Sequence, residues 1–166
     1  MVRSESRNPL SDHLVSNMDG PRPSAKYQPV HVEQECLCSP HEFKNKDAAN
    51  TPVTEIYQKG RVPLVRIVEG SVELLSYKHS NDEDSLFVAI SHVQSDGLGN
   101  SYSDSLPMCQ SSRLQHLANS ALPNHSQVPF WIYTACIPRT RAGNTIALEK
   151  LGYIFRGAKA VLALII

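Results

Sequence analysis

Apolar residues are unevenly spread along this chain. Leu, Ile, Val, Phe and Trp number 8 in residues 1–50 and 35 in residues 51–166, so the core must be built from the second stretch. Residues 1–50 also hold five prolines and no sustained period of 2 or 3.6, which predicts a disordered or loosely packed tail. Residues 51–80 read as a lead-in. A helical turn over 54–59 is followed by a β-hairpin of 61–67 and 71–77, both rich in β-branched or aromatic residues and separated by Val68-Glu69-Gly70. Pro63 has no N–H to give a neighbouring strand and places the first of these at a sheet edge.

Residues 81–166 carry the strongest pattern. Three apolar runs, 86–90, 128–137 and 160–166, have the character of strands buried on both faces. Between them lie two helical stripes. Leu114, Leu117, Ala118 and Ala121 fall at i, i+3, i+4 and i+7, after Ser111 and Ser112 as candidate caps and before Pro123 as a stop. Ala147, Leu151, Ile154, Phe155 and Ala158 repeat the stripe, with Asn144 or Thr145 as the cap and Gly157 near the end. Alternating buried strands and helices predict an α/β fold, a parallel sheet with right-handed crossover helices, preceded by the hairpin and the tail.

Composition narrows the function classes. The chain has 166 residues, 41% hydrophobic and 19% charged, which suits one domain of ordinary size. Lys and Arg together number 16, as do Asp and Glu, so no overall field draws nucleic acid or an anionic membrane. The first twenty residues lack the apolar segment of a secretory signal, and the longest apolar run is far short of the ~20 residues that span a bilayer. A cytoplasmic location is expected. Cys36, Cys38, Cys109 and Cys136 are then expected to be thiols and not a disulfide framework. Cys36, Cys38 and His41 form a C-x-C-x-x-H cluster, but a closed zinc site needs four ligands and the other cysteines lie far along the chain, so no metal is expected.

In open parallel sheets the chemistry sits outside the carboxyl ends of the strands. Three segments qualify: Ser91-His92-Val93-Gln94-Ser95-Asp96, Tyr133-Thr134-Ala135-Cys136 and Leu164-Ile165-Ile166. Ser91 and His92 are strand neighbours pointing to opposite faces, so they do not form a nucleophile and base pair without a sharp turn, and a strand-end histidine is more often structural. Cys136 could face His92 across adjacent strands, although a cysteine in an apolar strand is usually inert packing. The Gly97-x-Gly99 loop lacks a third glycine and reads as a turn. Arg139, Arg141 and Lys150 offer an anion site near the start of the second helix, although a solvated basic face is the more usual account of such residues.

Several of these segments, in order, carry a family resemblance. Phe87-Val88-Ala89-Ile90-Ser91-His92-Val93, Asp96-Gly97-Leu98-Gly99-Asn100, Ser105-Leu106-Pro107 with Cys109-Gln110, and Phe130-Trp131-Ile132 with Cys136-Ile137-Pro138 resemble the fungal heterokaryon incompatibility (HET) domain. The likeness covers about residues 61–166. It implies a cytoplasmic protein of fungal non-self recognition and programmed cell death, a TIR-like or flavodoxin-like parallel fold, and a crevice lined by Ser91, His92, Asp96, Gly97, Gly99, Asn100, Trp131 and Cys136. It also implies protein partners or self-association, with no cofactor. The chain departs from the family pattern at Gln94, where Trp is usual, and at Tyr133 and Ile165, where Asp is usual. With those departures, and an end at Ile166 where members continue, it is expected to be a truncated or degenerate member. The alternative implied by the TIR likeness is a nicotinamide-dinucleotide hydrolase, using NAD and a crevice glutamate for which Glu149 is the candidate. A single Glu on an amphipathic helix is ordinarily a solvated surface residue.

Overall fold

The computed structural model describes residues 29–42, 52–78, 86–99 and 105–164. Helix α1 (Pro52–Gln58) leads into strands β2 (Val62–Val68) and β3 (Ser71–Tyr77), which form the expected hairpin, paired from Val62↔Tyr77 to Val68↔Ser71. A short strand, β1 (Pro40–Glu42), precedes α1. The two-residue turn has Glu69 at φ 48 and Gly70 at φ 75. Positive φ at both positions matches the right-handed twist of the strands, and glycine adopts it without a Cβ clash.

Strand β4 (Val88–Ser91) is followed by β5 (Ser105–Pro107), helix α2 (Met108–Ala121) and β6 (Phe130–Ile132). Three helices then lead to the last strand: α3 (Tyr133–Cys136), α4 (Arg141–Glu149), α5 (Leu151–Gly157) and β7 (Ala160–Ala163). The main sheet has the order β3-β2-β6-β4-β7. Strand β4 is parallel to both β6 and β7, whereas β2 runs antiparallel to β6 and to β3.

The sheet is therefore mixed, which corrects the expectation of a wholly parallel TIR-like or flavodoxin-like sheet with a separate hairpin in front. The hairpin comes after the first helix and supplies two of the five strands. Its first strand explains why. Val62, Pro63, Leu64, Val65 and Ile67 are all buried, so β2 is apolar on both faces and is stabilised only inside a sheet. Pro63 accordingly lies in an interior strand. Its missing N–H is tolerated because β2 and β6 pair at the single position Val65↔Phe130.

Four further features differ from the pattern reading. The run 128–137 is a strand only over Phe130–Ile132 and then coils into α3, so Cys136 stands on a helix and not at a strand end. The second helical stripe is two helices, broken at Lys150, and its cap is Thr140, whose Oγ1 accepts from the Gly143 N–H at 3.2 Å. Strand β7 alternates partly buried and exposed positions, with Val161 and Ala163 outward, because only one of its faces packs on the core. Helix α2 begins at Met108 behind Pro107, so Ser111 and Ser112 lie inside it.

The core is centred on β4 and β6. Phe87, Ile90, Trp131 and Ile132 are fully buried there, and Leu151, Phe155 and Leu162 pack against them partly buried. The Trp131 indole N–H donates to the Tyr57 hydroxyl of α1 at 3.3 Å, and its ring meets Phe155 of α5 edge-on with centroids 5.7 Å apart. One residue thus ties the centre of the sheet to two helices. Among the described residues no helix is long and apolar enough to cross a membrane.

Candidate metal centre and strand-end crevice

From β4 the chain crosses to β6 on one side, and from β6 it returns past β4 to β7 on the other. Such a reversal opens a crevice at the carboxyl ends of the strands. A crevice of about 660 Å³ lies there, floored by Ile90, Trp131 and Phe155 and rimmed by Ser91, His92, Gln94 and Tyr133. The sequence-predicted residues Ser91, His92, Gln94, Trp131 and Tyr133 therefore meet in one place. Among the described residues no acidic side chain lines it.

The His92 ring has defined neighbours. Nδ1 is 3.0 Å from the Val93 carbonyl oxygen, which only accepts, so the neutral ring carries its proton on Nδ1. Nε2 then faces Thr134 Oγ1 at 3.4 Å, while the Thr134 hydroxyl donates to the Leu98 carbonyl at 2.6 Å. Burial holds the His92 pKa below its ordinary 6.5, outweighing the Val93 carbonyl and Asp96, which favour the charged ring. His92 is thus a neutral side chain positioned by the Val93 carbonyl, and its Nε2 lone pair lies beside Thr134 with no proton shared between them, because the Thr134 hydroxyl hydrogen goes to Leu98.

Other members of the expected set are structural or lie elsewhere. Asp96 is buried, and its Oδ2 accepts from the Val93 N–H at 2.9 Å, which closes the turn after β4. Gly97 and Gly99 have φ of 68 and 70, the left-handed conformation that favours glycine in a turn. Cys136 is buried in the core and does not line the crevice. Glu149 is exposed on α4 and also lies outside the crevice. Asn100 and Ile165 lie outside the described residues.

Beside the crevice a second constellation appears. Residues 29–39 form a strap that runs past the loop after β4 and reaches the first turn of α2. The Val30 N–H donates to the Gly97 carbonyl at 2.8 Å, and Gln110 Nε2 donates to the Val30 carbonyl at 3.0 Å. A Cβ on Gly97 would collide with the Val30 side chain, so glycine is what allows the strap to lie so close. The strap ends in β1, which pairs antiparallel with β5 from Pro40↔Pro107 to Glu42↔Ser105, and the Met108 N–H donates to the Ser39 carbonyl.

This docking brings His31, Cys36 and Cys38 of the strap to Cys109 in the first turn of α2, with all four ligand atoms within 4.8 Å of one another. His31 Nδ1 is 3.4 Å from Cys38 Sγ and 3.6 Å from Cys109 Sγ. Two backbone N–H groups point at sulfur: Val32 donates to Cys109 Sγ and Cys109 donates to Cys38 Sγ, both at 3.3 Å. The Cys109 N–H lowers the Cys38 pKa from its ordinary 9.0 to about 7. For Cys36 the N–H of Cys38 acts downward, but the neighbouring thiol of Cys38, burial and Cys109 together carry its pKa upward. No disulfide joins the four cysteines of the chain.

The expectation of no metal is overturned by this cluster. The two cysteines of the C-x-C pair are members, and the nitrogen donor among the described side chains is His31; the His41 side chain lies outside the described residues. The distant cysteine that seemed unable to contribute is brought in by α2. The signal in the sequence was the spacing His31-x4-Cys36-x-Cys38 together with Cys109 directly after Leu106-Pro107-Met108. Compared with known proteins, the chain matches no family model, no curated protein and no solved structure.

Proposed function

We propose that the chain is a HET-type module of fungal non-self recognition and cell-death signalling, which works by docking a protein partner at the strand-end crevice and not by turnover. The observation that carries this reading is the lining of the crevice. The motif residues Ser91, His92 and Trp131 converge there, the floor is apolar and aromatic, and among the described residues no carboxylate lines it to act as acid, base or nucleophile. The exposed position of Glu149 gives the hydrolase alternative no support. Val93, 60% exposed on the crevice rim, offers an apolar contact to a partner.

Co-purification with a HET-domain protein co-expressed in a filamentous fungus tests this. Retention of that protein by the parent chain and its loss with Val93→Asp, a surface change that leaves the core untouched, is the expected result. Equal retention by both chains, or consumption of nicotinamide dinucleotide by the purified protein, would overturn the proposal.

A further inference from the structure

We propose that His31, Cys36, Cys38 and Cys109 bind one zinc ion in a closed Cys3His site, and that this ion clips the strap of residues 29–39 to α2 and so fixes the loop beside the crevice. The inference is independent of the signalling role above.

The donor set selects the metal. Three sulfurs and one imidazole nitrogen suit a borderline-soft cation better than calcium or magnesium, which prefer oxygen ligands. Zinc–sulfur bonds of about 2.3 Å in a tetrahedron place the ligand atoms about 3.8 Å apart. The observed set, within 4.8 Å, closes to that size by side-chain rotations of a fraction of an ångström to about an ångström. Four protein ligands fill the tetrahedron and leave no position for substrate, which is the character of a structural ion.

Charge points the same way. Three thiolates around a divalent cation leave one excess negative charge, and the N–H groups of Val32 and Cys109 already aim at two of the sulfurs. These donors come from the same segments as the ligands, so binding and docking of the strap are one event.

The structural consequence follows from Val30. It lies between the ligand His31 and the Gly97 contact, where it bonds to the Gly97 carbonyl and to Gln110. The loop it touches holds Asp96, which closes the turn at Val93, and Leu98, whose carbonyl orients Thr134 against His92. An ion that holds His31 therefore holds this loop. The ligands at His31 and Cys109 stand 78 positions apart, and cross-linking so long a loop constrains the unfolded chain strongly.

The experiment uses the full chain produced with zinc in the medium. Elemental analysis is expected to find one zinc per chain, and replacement by cobalt(II) is expected to give the visible absorption of tetrahedral thiolate coordination. Cys38→Ser, Cys109→Ser and His31→Ala should lose the metal, whereas His41→Ala and the donor-preserving His31→Cys should keep it. Hydrogen exchange on the chelated protein should show lost protection at residues 29–39 and 96–99, with the hairpin of residues 62–77 unchanged. Hairpin protection also identifies any variant that fails to fold. A folded parent chain without stoichiometric zinc, a disulfide among Cys36, Cys38 and Cys109 in protein isolated without oxidant, or retention of zinc by both serine variants would overturn the site. Chelation that leaves exchange at 96–99 unaltered would overturn the clip.

Discussion

At the scale of single residues, His92 sets a pH dependence whose sign is fixed by its burial. The folded pKa lies below 6.5, so between the two values the unfolded chain binds more protons than the folded one. The contribution is fully present above the unfolded pKa and is lost as the pH falls through about 6.5 towards the folded value. Urea midpoints measured from about pH 8 to about pH 5 should therefore fall more for the parent than for His92→Asn; parallel curves would contradict this assignment. Trp131 and Tyr57 give a second residue-level test. Trp131→Ala removes a buried ring that ties β6 to two helices and should cost about 3–5 kcal/mol. Tyr57→Phe keeps the packing but leaves the indole N–H unpaired, at about 1–3 kcal/mol. Chemical denaturation that ranked Tyr57→Phe as the more damaging change would contradict the packing described. Ser91, His92 and Gln94 were legible in the sequence because they follow directly on the apolar run 86–90, and Trp131 through the motif resemblance. His31 and Cys109 were not, because their proximity depends on a docked strap that no local periodicity announces.

Among the elements, the helices between β6 and β7 show how a correct stripe can hide a wrong boundary. Ala147, Ile154 and their neighbours do face the core, yet Lys150 at φ −88 and ψ −6 divides the stripe, and the first helix starts at Arg141. Thr140 supplies the cap, and Asn144 is a buried residue within the helix. Thr140→Ala should lower stability by about 1 kcal/mol, with Thr140→Ser close to the parent; equal thermal midpoints for all three chains would remove Thr140 from that role. The hairpin was visible through its β-branched strands and its Glu69-Gly70 turn. Its placement inside the sheet was not, because Pro63 argues for an edge while the burial of β2 on both faces requires neighbours on both sides. Tertiary packing decides between these, and β6 resolves the conflict by touching β2 only at Val65.

For the molecule as a whole, the two edges of the main sheet carry different risks. Strand β3 is mostly partly buried or exposed and carries Glu73, which is paired across the hairpin with Arg66 at 2.6 Å. Both side chains are partly exposed, so the pair adds well under about 1 kcal/mol of stability, but a fixed charge on an edge discourages further strand addition. Strand β7, Ala-Val-Leu-Ala, has no charged residue, and Val161 on it is 50% exposed. Its inner side pairs with β4 from Val88↔Ala160 to Ser91↔Ala163, and no described strand pairs with its outer row of N–H and carbonyl groups, a template for a second chain. Self-association through β7 is the expected behaviour at high protein concentration. Val161→Lys places a charge on the outward position without entering the core, and should lower the average mass seen by sedimentation while leaving the melting temperature near that of the parent. The same change should leave zinc content unaltered, since β7 and the strap share no residue. A parent chain that stays monomeric at high concentration, or a Lys variant that associates equally, would show that the exposed edge of β7 is not the contact.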